Sequence, residues 1–148
     1  MFNDEIKIRD AVSEDIHSMT DLLNQLGYKT NLQEMTTRFD KIYIHPEYKT
    51  LVAESTDGLE GMIGMARSIS YELNEPMVRI LVLVVDQNSR KKGIASLLVS
   101  HAEEWAKESG APALLLNCGN REERKAAHLF YPKIGFELKS SGYRKNIS

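Results

Sequence analysis

A single cysteine, Cys118, stands among 148 residues, so no disulfide can form within the chain, and neither C-x-x-C nor H-E-x-x-H spacing is present to hold zinc. No metal is expected. A catalytic thiol would need a basic partner to lower its pKa, whereas Leu114-Leu115-Leu116-Asn117-Cys118 reads as a buried strand end. Long apolar runs are missing too: none reaches the ~18 residues that cross a bilayer. Met1 to Asp10 is too charged and strand-like for a signal peptide. The expectation is a soluble, cytoplasmic protein that engages no membrane. Charge of one sign is not in excess either, since nineteen Lys and Arg against twenty-one Asp and Glu leave a net charge of −2. That balance argues against a nucleic-acid partner, and any basic site must be local. Linker-like tracts and internal repeats are absent, so residues 1–148 read as one domain.

What is present reads as an α/β chain in the order β-α-α-β-β-β-α-β-α-β. Ile6 to Arg9 alternates like a short strand, and Ser13 followed by Glu14 and Asp15 looks like a helix N-cap. Ile16, Met19, Leu22, Leu23 and Leu26 form the stripe of that helix, and Gly27 stops it. Asn31 to Glu34 resembles a capping box for a second helix that His45-Pro46 ends. Thr50 to Glu54, Gly61 to Tyr71 and Met77 to Val85 then read as an antiparallel meander. The last of these is nearly all apolar, as a central strand covered on both faces should be. A helix from about Gly93 carries Ile94, Leu97, Leu98, His101, Ala102 and Trp105 on one face and closes at Gly110 and Pro112. Ala113 to Asn117 is another strand, Arg124 to Ile134 a last helix, and Phe136 to Tyr143 a final strand. The strand-helix-strand passage around Gly93 implies a crossover and therefore a mostly antiparallel but mixed sheet flanked by about four helices.

Two segments carry chemistry. The run Val82 to Ala95 is a buried strand, a polar turn containing Arg90, Lys91 and Lys92, and then Gly93 where a helix starts. First-turn amides and the helix dipole attract an anion there, and Gly93 and Ala95 let it approach the backbone. Walker and dinucleotide glycine patterns are both absent. The same residues also suit a solvated turn ahead of an ordinary helix. In the second segment, Arg124 to Phe136, Ala127 and Tyr131 share a helical face, so the Tyr131 hydroxyl can reach a shallow, Ala-lined surface as a general acid. A core aromatic with its hydroxyl in solvent is the alternative.

In this order the two segments resemble the GNAT superfamily of N-acetyltransferases. Arg90-Lys91-Lys92-Gly93-Ile94-Ala95 matches the family's [QR]-x-x-G-x-[GA] pattern, and Ala127 to Phe136 matches its A-x-x-F-Y-x-x-x-G-F element. The spelling is most like the aminoglycoside-type and small-amine branch. The resemblance implies acetyl-CoA as co-substrate, its pyrophosphate on the amides of Arg90 to Ala95 and Ser96, and its pantetheine arm beside Leu83, Val84 and Val85. It also implies direct attack by an amine, an oxyanion steadied near Val84 or Val85, and Tyr131 protonating the thiolate. The strand carboxylate that many members use as base is replaced by Leu81 and Val82, leaving Glu72 and Glu75 as base candidates. Arg124 stands where the family often has Asn, and Asn120 is the candidate to take over its pantetheine contact. Tyr28, Phe39, Tyr43, Tyr71, Glu72 and Glu75 are candidates for the acceptor wall, for a small-molecule or peptide amine.

A rival reading is a non-catalytic acyl-CoA binding or sensing module that keeps the phosphate turn but lacks the base. A nucleic-acid module using Arg90 to Lys92 with Arg121, Arg124 and Lys125 fits poorly with the net charge of −2. The final strand, at an end of the topology, is where a homodimer could pair.

Overall fold

Four antiparallel strands form where the apolar and β-branched residues concentrate: β1 (Lys7–Asp10), β2 (Tyr48–Ser55), β3 (Gly58–Ser68) and β4 (Met77–Val85). With β5 (Leu114–Leu116) they make a mixed sheet in the order β1-β2-β3-β4-β5. The helices are α1 (Ile16–Leu26), α2 (Leu32–Tyr43), α3 (Ile94–Glu108) and α4 (Lys125–Lys133). The computed structural model describes residues 5–90, 92–117, 125–139 and 143–147. The chain divides into two compact units, Met1–Leu115 and Leu116–Ser148.

Register explains how one strand serves two cores. Gly64 pairs with Val82 and Met65 with Ile80, so Leu81 is a bulge with no partner on β3. The extra residue reverses the face that later side chains take. Val82 and Val84 therefore join Met62 and Val52 beneath α1 and α2, where Met19, Leu22, Met35 and Phe39 fill the core. On the other face, Val78 and Ile80 share a side with Ile63 and Met65, and all four are buried. Gly61 lies on that side too; a Cβ there would meet Ile94 and Leu98 at 3.2 Å, so its lack of a side chain lets α3 settle onto the sheet. The expected central place of β4 holds only in part: β3 is the middle strand, β4 lies next to the short β5 at one side of the sheet, and Leu81 is half exposed.

Helix ends show where local signals hold. Asn31 Oδ1 accepts a 2.8 Å bond from the Glu34 amide, the expected cap of α2. Gly27 ends α1 at φ 106°, with the Tyr28 amide bonded to the Leu23 carbonyl at 3.1 Å. Ser13 is not the cap of α1. It opens a 3₁₀ turn, Ser13–Asp15, whose Asp15 carboxylate accepts the Val12 amide at 2.9 Å because Arg9 holds that carboxylate in place. The buried residues of α3 are Ile94, Leu98, Val99, Ala102 and Ala106, which rotates the stripe away from the expected His101, now exposed. Small Ala102 and Ala106 continue the line from Ile94 and Leu98 in steps of one turn.

In the second unit, α4 runs through Pro132 to Lys133, and Gly135 follows in the turn after it at φ 100°. The Phe136 amide bonds the Tyr131 carbonyl at 3.1 Å, and the two rings meet edge-on with centroids 5.7 Å apart. The expected strand from Phe136 to Tyr143 does not form over residues 136–139, and its residues 140–142 lie outside the described ones. A strand needs a paired edge, whereas here Phe136 folds back onto Tyr131 and Leu138 is exposed.

Candidate active site

The turn between β4 and α3 is built by hydrogen bonds that converge on Asp86. Its amide donates to the Glu60 carbonyl at 2.8 Å, and its own carbonyl accepts the Ser89 amide at 2.8 Å. Asp86 Oδ2 accepts the Asn88 amide at 3.0 Å, the self-capping bond that suits Asp to tight turns. From α1, Gln25 braces the same turn twice: its Nε2 donates to Asp86 Oδ1 at 2.9 Å, and its Oε1 accepts the Gln87 amide at 2.8 Å. These bonds fix the start of the turn and leave its cationic end, with Arg90 and Lys92 exposed, next to α3.

Gly93 is the N-cap of α3, with φ 79° and no side-chain cap bond. The Leu97 amide donates to the Gly93 carbonyl at 3.0 Å. Among the described residues the amides of Ile94, Ala95 and Ser96 therefore head the helix without a capping side chain, in the partial positive charge of the dipole. A Cβ at Gly93 would have nothing within 4 Å, so glycine is required here by the left-handed backbone rather than by crowding. Ser96 is exposed, Ala95 partly so, and Ile94 is buried beneath the turn as its anchor.

Beside this turn, Val84 is buried and Leu83 and Val85 are partly buried. Only three residues of β5 stand against nine in β4. Among the described residues, most of the β4 edge away from β3 thus has no strand alongside to take its amides and carbonyls.

The structure also assigns Glu60, which sequence patterning passed over. Ala53 pairs with Gly61 and Glu54 with Leu59, so Glu60 is a second bulge residue, buried near the start of β3. Ser55 and Ser89 hydroxyls, and then the Lys92 ammonium, hold its carboxyl below the usual Glu range. Among the described residues its Oε1 has no hydrogen-bond partner, and it faces Lys92 Nζ at 3.7 Å. The available signal was one acid inside the apolar run Leu59 to Met65.

Other expected residues separate. Tyr71, Glu72 and Glu75 lie exposed in the connection between β3 and β4, and Tyr28 is exposed after α1. Phe39, offered for an acceptor wall, is instead core, 1% exposed, because α2 lays that face on the sheet. With Tyr43, Tyr48 and Lys49 it borders a cavity of about 380 Å³ by the start of β2, at the end of the sheet remote from the Gly93 turn. Ala127 and Tyr131 sit one turn apart on α4, both partly buried. Lys91, Cys118, Asn120, Arg121 and Arg124 lie outside the described residues.

A buried strand leading through a braced, cationic turn into an uncapped helix, in a mixed sheet with helices on both faces, defines a protein equipped to receive an anionic ligand. Residues 16–136 match the acetyltransferase (GNAT) family, and the chain belongs to that family. It is an N-acetyltransferase. It is 26% identical over 144 residues to an uncharacterized N-acetyltransferase of Bacillus subtilis, covering 97% of this chain and 96% of the relative. A GNAT family acetyltransferase structure from Staphylococcus aureus superposes with a TM-score of 0.81 at 29% identity, covering 96% of this chain and 98% of that one. An aminoglycoside N-acetyltransferase solved in complex with CoA shares the fold, with a TM-score of 0.83 at 17% identity over 99% and 98% of the two chains.

Proposed function

We propose that this chain transfers an acetyl group from acetyl-CoA to a primary amine on a small molecule or peptide, within a ternary complex. The observation that carries the reading is Gly93, left-handed at the head of α3, with the uncapped amides of Ile94, Ala95 and Ser96 beyond the Asp86 turn. Those amides bind the pyrophosphate, with Arg90, Lys91 and Lys92 supplying charge. Backbone groups of Leu83, Val84 and Val85 take the pantetheine arm as an added strand takes a sheet edge, joined by Ala127, Asn120 and Arg124.

The neutral amine attacks the thioester carbonyl, a new C–N bond forms and the C–S bond breaks. An amide near Val84 or Val85 steadies the oxyanion, and Tyr131 gives its proton to the departing thiolate. Glu72 and Glu75 are the candidates to accept the amine's proton. No covalent intermediate on the protein is involved, so the catalytic gain comes mainly from positioning two substrates.

Calorimetric titration with acetyl-CoA, against ADP and NAD, tests the cofactor assignment: micromolar binding of acetyl-CoA with little of NAD is expected, and no binding of any acyl-CoA refutes it. Tyr131→Phe then lowers kcat about 100-fold with acetyl-CoA affinity retained. Unchanged turnover removes Tyr131 from its role, and cofactor affinity without turnover across a broad amine panel favours a sensing module instead.

A further inference from the structure

A buried carboxylate ordinarily collects a full set of partners, because leaving one oxygen unsatisfied away from water is costly. Glu60 departs from this. It is 7% exposed, yet among the described residues its Oε1 has no hydrogen-bond partner and faces the Lys92 ammonium at 3.7 Å. That distance is too long for a good hydrogen bond. Lys92 is therefore tethered by charge while its three N–H donors remain free of this carboxylate.

The surroundings explain why an acid stands here. Arg90, Lys91 and Lys92 are consecutive cations, which repel one another and favour a splayed turn. A lysine on a flexible stem must also be ordered before it can serve a ligand, at a cost in rotamer freedom. One buried negative charge answers both needs. The Glu60 carbonyl fixes the first residue of the turn through the Asp86 amide, and its side chain faces Lys92 at the other end. The bulge that aims this side chain places both contacts in one residue.

We infer that Glu60 is a positioning residue for the anion site, holding Asp86 through its carbonyl and Lys92 through its carboxylate so that the turn is formed and its last cation is in place before a pyrophosphate arrives. This rests on the coenzyme A reading of the turn. Glu60 touches no substrate in this role and acts through the turn and Lys92.

The test is calorimetric titration of ADP, acetyl-CoA and S-acetylpantetheine into the wild-type chain, Glu60→Gln, Lys92→Met and the double variant, with thermal midpoints recorded. Each single variant is expected to bind ADP and acetyl-CoA about fivefold more weakly, with the double variant no weaker than Lys92→Met alone. S-acetylpantetheine, which lacks the phosphates, binds all four equally. Glu60→Gln that binds ADP as tightly as wild type, or more tightly, overturns the inference, as do losses that multiply in the double variant. Lys92 has a largely exposed side chain, so its variant does not depend on core packing. If Glu60→Gln does not fold, wild-type ADP affinity in Lys92→Met overturns the inference, and a fivefold loss confined to the phosphate-bearing ligands supports it. Absence of any ADP or acetyl-CoA binding by the wild type refutes the coenzyme reading itself, and the inference with it.

Discussion

Asp15 and Glu60 are both buried acids of the first unit, yet their surroundings differ in kind. Asp15 receives two bonds from the Arg9 guanidinium, at 2.8 and 2.9 Å, and a third from the Val12 amide at 2.9 Å. Arg9 reaches on to Glu54 at 3.0 Å, so a single cation ties β1, β2 and the 3₁₀ turn together. Glu60 has an oxygen without a hydrogen-bond partner among the described residues and an ammonium 3.7 Å away. A carboxylate whose needs are all met stabilises a fold, whereas one whose needs are only partly met leaves capacity for something else. The first is a clasp and the second a brace for a turn that must still bind a ligand.

The sharpest way to break this contrast is Arg9→Met, which strands Asp15. A loss of about 2 kcal/mol in unfolding free energy is expected, below the roughly 3–5 kcal/mol of a fully buried pair because the guanidinium is partly exposed. Urea denaturation measures it. ADP affinity should be unchanged; a parallel loss of affinity would mean that the clasp and the brace are one network. Next in size is Gly93→Ala, whose Cβ meets no neighbour and must only adopt φ 79°. The expected destabilisation is about 1 kcal/mol. A larger loss in acetyl-CoA affinity than this stability change accounts for would show the ligand approaching the Gly93 backbone directly.

The parts of this contrast that were legible in the sequence are those marked by residue type. Gly93 after three cations pointed to the turn, and the nearly all-apolar run of β4 pointed to a strand inside the sheet. The Leu81 bulge left no mark, since one extra apolar residue among Val, Ile and Leu changes neither composition nor hydropathy. Ser13 was the better cap on propensity, but the contact with Arg9, six residues earlier, gave the role of anchoring the turn to Asp15. Phe136 to Tyr143 alternated like a strand, and nothing local could say that residues 136–139 would find no edge. Glu60 was hidden for a related reason: a lone acid in a strand usually faces water, and only the β2–β3 register shows it turned inward.

The smallest expected effect lies in the pH dependence of stability, and it separates the two acids most finely. Both have folded pKa values lowered from ordinary ones of 3.8 for Asp15 and 4.5 for Glu60, by the Arg9 hydrogen bonds and by the Ser55 and Ser89 hydroxyls respectively. Each therefore contributes stability that is present above its ordinary value and lost as pH falls through its lowered one. In urea titrations the gap between wild type and Arg9→Met should narrow below about pH 4, because without the guanidinium the burial of Asp15 favours its protonated form. The gap for Glu60→Gln should begin to narrow about half a unit higher, following the ordinary Glu value. Lys92→Met should remove only part of the pH dependence assigned to Glu60, since the Ser55 and Ser89 hydroxyls as well as the ammonium favour its ionised form. If Lys92→Met abolishes the pH dependence assigned to Glu60, the ion pair rather than the serines maintains that charge, and the turn is a second clasp after all.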